Sequence, residues 1–62
     1  MDLNHTTKAT EAAQLLTSEV RGAYSEAVNS NNRLAELVFF ELVEDVVRLE
    51  WKLKRILDAI KP

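Results

Sequence analysis

Four consecutive small polar residues, "NSNN" from Asn29 to Asn32, divide a 62-residue chain that has few other helix breakers. Asn and Ser side chains hydrogen-bond to nearby backbone groups, so a run of them favours turns and helix caps over helix interiors. Asn also tolerates the left-handed conformation in which many helices end. The single glycine is Gly22 and the single proline is Pro62. NSNN therefore predicts a turn between two helices.

The apolar residues on both sides of NSNN recur at alternating intervals of three and four, as on the buried face of a packed helix. Before the turn the set is Ala9, Ala13, Leu16, Val20, Ala23 and Ala27. After the turn it is Ala35, Phe39, Leu42, Val46, Leu49, Leu53, Ile56 and Ile60. The first set, continued past the turn, would land mostly on polar or charged residues. One continuous helix, the alternative, would have to rotate its apolar stripe at NSNN, whereas two helices would not.

The predicted fold is all-α: an antiparallel two-helix hairpin that forms a single domain over residues 1–62. Residues 1–6 are expected to form a polar N-terminal tail, helix one to span about 7–29, the turn about 29–32 and helix two about 32–61. Thr6 or Thr7 is expected to cap the first helix, and residues 30–32 the second. The short connection makes the helices antiparallel neighbours.

Size and composition predict an oligomer. A domain of this length buries only about 60% of its unfolded surface, so a lone core is marginal. The chain has no cysteine for a disulfide, and His5 is its only histidine, so an ordinary zinc site is not expected. We expect no metal, no cofactor and no catalytic residue. Oligomerisation is the remaining way to add buried surface.

Charge and hydropathy bear on the partners and the compartment. A net charge of −2 and a pI near 5.2 give no overall attraction to nucleic acid or anionic membrane. The start, MDLNHTTKAT, lacks the basic and apolar regions of a secretory signal, and no apolar run approaches the roughly 20 residues of a membrane span. The expectation is a cytoplasmic protein without membrane association, complete from Met1.

A second apolar row follows helix two on the side away from the first set. This outer row consists of Leu37, Phe40, Glu44, Val47 and Trp51. A monomeric hairpin covers only one face of helix two, and full burial of a Phe or Val side chain contributes about 1.5–3 kcal/mol. The row therefore predicts a self-interface, with two hairpins forming a four-helix bundle as a homodimer. The alternatives are a docked helix of another protein and unrelated surface hydrophobes.

Two features have two interpretations each, and a third, His5, has one. Glu41, Glu44 and Asp45 lie on one ridge of helix two, which suits either a cation or ordinary ion pairing with Arg48. Gly22 is either a tolerated surface glycine or a point of close approach for another backbone. His5, without a cysteine or a second histidine, is read as exposed.

Helix two is acidic early and basic late. The candidate nucleic-acid contacts are Arg48, Lys52, Lys54 and Arg55, with Trp51 available to stack on a base. The same pattern also complements the helix macrodipole, and Glu50 can pair with Lys54.

The function expected from these features is a small non-enzymatic protein-interaction module or regulator. It would act by helix–helix docking and homo-oligomerisation, with itself and another protein as partners. The alternatives are an RNA- or DNA-binding hairpin dimer and a structural or assembly subunit. No motif identifies the partner protein, the pathway or the size of the oligomer.

Overall fold

The computed structural model describes residues 3–60 and contains two helices, α1 (Asn4–Asn29) and α2 (Arg33–Ile60). They pack side by side along their lengths as a hairpin whose Cα atoms span 48 by 14 by 11 Å. The predicted all-α hairpin is confirmed. Neither helix in the described part of the chain combines the length and apolarity needed to cross a membrane.

The NSNN turn is built by the asparagines, as predicted. Asn31 adopts the left-handed conformation with φ of 57°. Its N–H donates to the carbonyl of Val28 at 3.2 Å, and the N–H of Asn32 donates to the carbonyl of Ala27 at 3.1 Å. These two bonds form a Schellman motif, which satisfies the last carbonyls of α1. The Asn32 side-chain oxygen then accepts a hydrogen bond from the N–H of Ala35 at 3.2 Å, which caps the start of α2.

The predicted start of the first helix is wrong by three residues, because α1 already begins at Asn4. The N–H of Thr7 donates to the carbonyl of Leu3 at 2.8 Å, and the hydroxyl of Thr10 donates to the carbonyl of Thr6 at 2.9 Å. Leu3 occupies the N-cap position without a capping side chain, so neither Thr6 nor Thr7 is a cap. Residue 61, the predicted end of the second helix, lies outside the described residues.

The core is a narrow strip between the helices. Its buried members are Ala13, Ala27 and Val46, together with two threonines, Thr10 and Thr17. Both hydroxyls donate to the carbonyl four residues earlier at 2.9 Å, so burying them leaves no unsatisfied donor. Half-buried residues extend the strip along both helices: Val20 and Tyr24 in α1, and Phe39, Val43, Glu50, Leu53 and Leu57 in α2.

Nine of the fourteen residues in the predicted inner sets are buried or half-buried, and the other five are not. Five members are exposed: Ala9, Leu16, Leu42, Leu49 and Ile56. At each of these places the next residue along the chain lies in the strip instead: Thr10, Thr17, Val43, Glu50 and Leu57. Each helix is therefore rotated about its axis relative to the expected packing, so that a stripe of aliphatic side chains lies outside the contact.

Candidate interaction surfaces

The displaced aliphatic residues form one surface across both helices. Leu49 directly precedes Glu50 of the strip, and Leu16 directly precedes Thr17. One residue back along an α-helix is a rotation of about 100°. The helices run in opposite directions and face each other. Side chains one residue before the strip therefore point to the same side of the hairpin in both helices. We call this side the aliphatic face, and its members are Ala9, Leu16, Ala23, Leu42, Leu49 and Ile56.

The aliphatic face has six apolar members, and the charged residues Glu19, Asp45 and Lys52 lie between them along the same sides of the helices. Its four large side chains keep a substantial part of their surface exposed: 45% for Leu16, 38% for Leu42, 46% for Leu49 and 47% for Ile56. Val38 extends the apolar surface at the border of α2, with 48% exposed. Exposed aliphatic side chains grouped on one side in this way are uncommon on soluble monomers.

The outer row lies on the other side of the hairpin, and the structure leaves it uncovered. Phe40 is 53% exposed, Val47 38% and Trp51 59%. Most apolar groups on this side come from α2, since the neighbouring positions of α1 hold polar residues such as Gln14 and Arg21, with Val28 near the turn as an exception. Coverage of this row by a second protomer stays a prediction.

Two aromatic residues of the outer row already have neighbours within the chain. The ring of Phe40 lies 6.1 Å from that of Tyr24, centroid to centroid, with the ring planes tilted by 53°. The guanidinium of Arg55 lies 4.8 Å from the ring centroid of Trp51, a cation–π contact. Both contacts cover part of the aromatic surface that was predicted to be covered by a partner.

The predicted nucleic-acid residues are mostly engaged with acidic neighbours. A nitrogen of Arg48 lies 3.9 Å from a carboxylate oxygen of Glu44, and the Lys54 ammonium lies 2.9 Å from that of Glu50. Among residues 3–60, Lys52 forms no ion pair. Since Lys52 and Lys54 project from different sides of α2, the four cations do not converge on one phosphate-binding surface.

Glu50 is a feature that the sequence analysis treated only as the pairing partner of Lys54. Its side chain lies in the strip between the helices and is 21% exposed. A hydrogen bond from Lys54 lowers the pKa of the Glu50 carboxyl below its ordinary value. Arg21 adds a smaller electrostatic contribution. The spacing could have revealed this position, since Glu50 follows Val46 by four residues and precedes Leu53 by three.

The other polar features lie on the surface. Glu41, Glu44 and Asp45 are exposed, and within the described residues no three His, Asp or Glu side chains are placed to hold a metal ion. His5 is exposed on the first turn of α1. A Cβ added at Gly22 would meet no atom within 4 Å in the hairpin.

Comparison of the chain with protein-family models, with curated protein sequences and with solved structures found no match.

Proposed function

We propose that this chain is a small non-enzymatic protein-interaction module that acts by helix–helix docking, with two hairpins forming a four-helix bundle. One observation carries the proposal. Within residues 3–60 the hairpin buries three apolar side chains, whereas twelve large hydrophobic side chains are 38% exposed or more. This imbalance is expected for a subunit whose core is completed by association.

The exposed surface is large enough to matter energetically. A half-exposed Leu or Ile retains about half of the 1.5–3 kcal/mol that full burial contributes, or about 1 kcal/mol. The aliphatic face has four such side chains, so a symmetric dimer would bury eight of them and gain about 8 kcal/mol. That gain lies within the 5–15 kcal/mol that stabilises a typical folded domain. Association would therefore supply much of the stability of the fold.

The alternative functions receive less support. Three of the four candidate nucleic-acid residues contact side chains of α2: Arg48 and Lys54 pair with carboxylates, and Arg55 lies over Trp51. A phosphate backbone would have to compete with each of these contacts. Docking through apolar surface requires no such exchange.

The direct test is the mass of the protein in solution. Sedimentation equilibrium at low micromolar concentration should give twice the 7.1 kDa mass of the chain. Circular dichroism of the same samples would establish that the chain is helical. A fully helical monomer from 1 to roughly 200 µM, a range that spans ordinary dimer affinities, would contradict self-association.

A further inference from the structure

We infer that the second copy docks on the aliphatic face and lies with its NSNN turn at the opposite end of the bundle. The inference rests on the proposed self-association and adds the face and the orientation. It assigns the self-interface to Leu16, Leu42, Leu49 and Ile56, in place of the outer row that the sequence predicted.

The choice of strip within the hairpin is the first argument. The helices place Thr10, Thr17 and Glu50 between them and leave Leu16 and Leu49, the neighbouring residues, outside. In an isolated hairpin, a rotation of both helices that exchanged these groups would bury more apolar surface and return a carboxylate to water. The observed rotation is favourable when a further surface covers the leucines.

The extent of the face is the second argument. At 1.5 Å per residue, its members span about 21 Å of each helix, from residue 9 to 23 in α1 and from 42 to 56 in α2. Both helices contribute apolar groups along the whole face, whereas most apolar groups on the side of the outer row come from α2. Ala9 and Ala23 are small, so the α1 helices of two copies can approach closely.

A two-fold dimer through this face has two possible orientations, and charge distinguishes them. With both turns at the same end, α1 of one copy lies against α2 of the other at the heights seen within the hairpin. Because the turn is centred on residues 31 and 32, Glu19 and Asp45 lie at the same height. Both border the aliphatic face, so this orientation brings two like charges together, which is unfavourable.

The opposite orientation replaces that repulsion with attraction. With the turns at opposite ends, each helix runs antiparallel to its own copy, and the two-fold axis passes at the height of Leu49. Leu42 and Ile56 are each seven residues from Leu49, so Leu42 of one copy meets Ile56 of the other. Asp45 and Lys52 lie four residues before and three residues after that axis, so each Asp45 faces Lys52 of the second copy. Neither side chain forms an ion pair within the described residues of its own chain, so both are available.

The same register fits α1. The axis at the height of Leu49 passes α1 near Gln14, so Leu16 faces Ala12 of the second chain. Glu19, which opposed Asp45 in the rejected orientation, now faces Ala9. No like-charged pair arises at these border positions, and a single axis satisfies both helices.

The face is tested by two matched substitutions analysed by sedimentation equilibrium, with circular dichroism to follow folding. Leu49→Glu places two carboxylates beside the two-fold axis and should weaken dimerisation by about a hundredfold or more. Val47→Glu is the control, because it lies on the same helix with similar exposure but belongs to the outer row. It should remain dimeric. Dissociation by Val47→Glu with retention of the dimer in Leu49→Glu would overturn the assignment of the face.

The orientation is tested by exposed charges, which keeps the test independent of whether Leu49→Glu still folds. Asp45→Lys and Lys52→Asp should each raise the dimer dissociation constant roughly tenfold, since each creates two like-charged contacts. The double variant Asp45→Lys/Lys52→Asp should restore the wild-type value. Tighter association of Asp45→Lys alone would indicate contact with Glu19 and overturn the orientation. No effect of either charge would overturn the register as well.

These outcomes are separable from failure of the proposed function. A wild-type protein that is a folded monomer at every concentration would refute self-association itself, and with it the whole inference. A wild-type dimer that fails only the substitution tests would refute the face or the orientation and leave the proposed function standing.

Discussion

A tenfold dilution of the protein should lower its melting temperature by about 6 °C. The reason is mass action: if folded dimers melt to unfolded monomers, the midpoint depends on total concentration. The hairpin supports this coupling because its buried apolar side chains are only Ala13, Ala27 and Val46. Such a core gives a separate monomer little stability of its own.

The magnitude follows from the size of the unfolding unit. Unfolding absorbs about 0.7 kcal/mol of heat per residue near 60 °C. Two chains of 62 residues therefore have an enthalpy of unfolding of about 90 kcal/mol. The shift per tenfold change in concentration equals R times the square of the midpoint temperature, times the natural logarithm of ten, divided by this enthalpy. At 60 °C that is about 6 °C.

The assay is circular dichroism at 222 nm, followed at several concentrations over a hundredfold range with cuvettes of different path length. Reversibility should be checked by a second scan, since an irreversible transition reports a rate instead of an equilibrium. The expected total shift is about 12 °C. A midpoint that is constant across the range would refute the coupling of folding to association and show that the narrow strip alone stabilises the hairpin.

Four further outcomes are expected. Asn32→Ala removes the side-chain cap of α2 and should lower the free energy of unfolding by about 1 kcal/mol in urea titrations. Gly22→Ala should raise it by up to about 1 kcal/mol, because the added Cβ meets no atom within 4 Å and the helix gains a better former. Because the pKa of Glu50 is lowered in the folded chain, its ionised form contributes stability at neutral pH. This contribution is lost as the pH falls through the ordinary glutamate range. Glu50→Gln should therefore flatten that part of the profile of unfolding free energy against pH. Filter binding should show no association with RNA or duplex DNA at near-physiological salt. Micromolar binding that Lys52→Glu and Arg55→Glu abolish would instead support the nucleic-acid function.

The turn could be predicted from the sequence because its chemistry is local. Asn31 takes the left-handed conformation and Asn32 supplies a cap, and both roles follow from what an asparagine side chain does to its own backbone. The start of α1 could not be predicted in the same way. A threonine is a good cap, but Leu3 stands at the N-cap position, and the hydroxyl of Thr10 donates within the helix to the backbone carbonyl of Thr6. Residue type alone does not distinguish these two uses.

The rotation of α1 was missed because threonine was counted as polar. Thr10 and Thr17 each sit one residue after an apolar neighbour, Ala9 or Leu16, so the spacing of three and four fits either choice. Counting only apolar residues selected Leu16. A threonine whose hydroxyl bonds to the preceding turn presents its methyl group to the neighbouring helix, and it therefore serves as an inner residue.

The apolar side chains of α2 cover an arc of the helix surface that is too wide for one neighbouring helix. It runs from Leu49 on one flank, through Val46 in the strip, to Val47 on the other flank, and these directions differ by more than 100° in total. A single packed helix covers an arc of about that width. The arc of α1 is narrower, with polar groups such as Arg21 beyond the strip. A bundle in which α2 contacts both α1 and a second α2 buries Leu49 as well as Val46. This asymmetry between the helices is the reason that we place the second copy against the leucines.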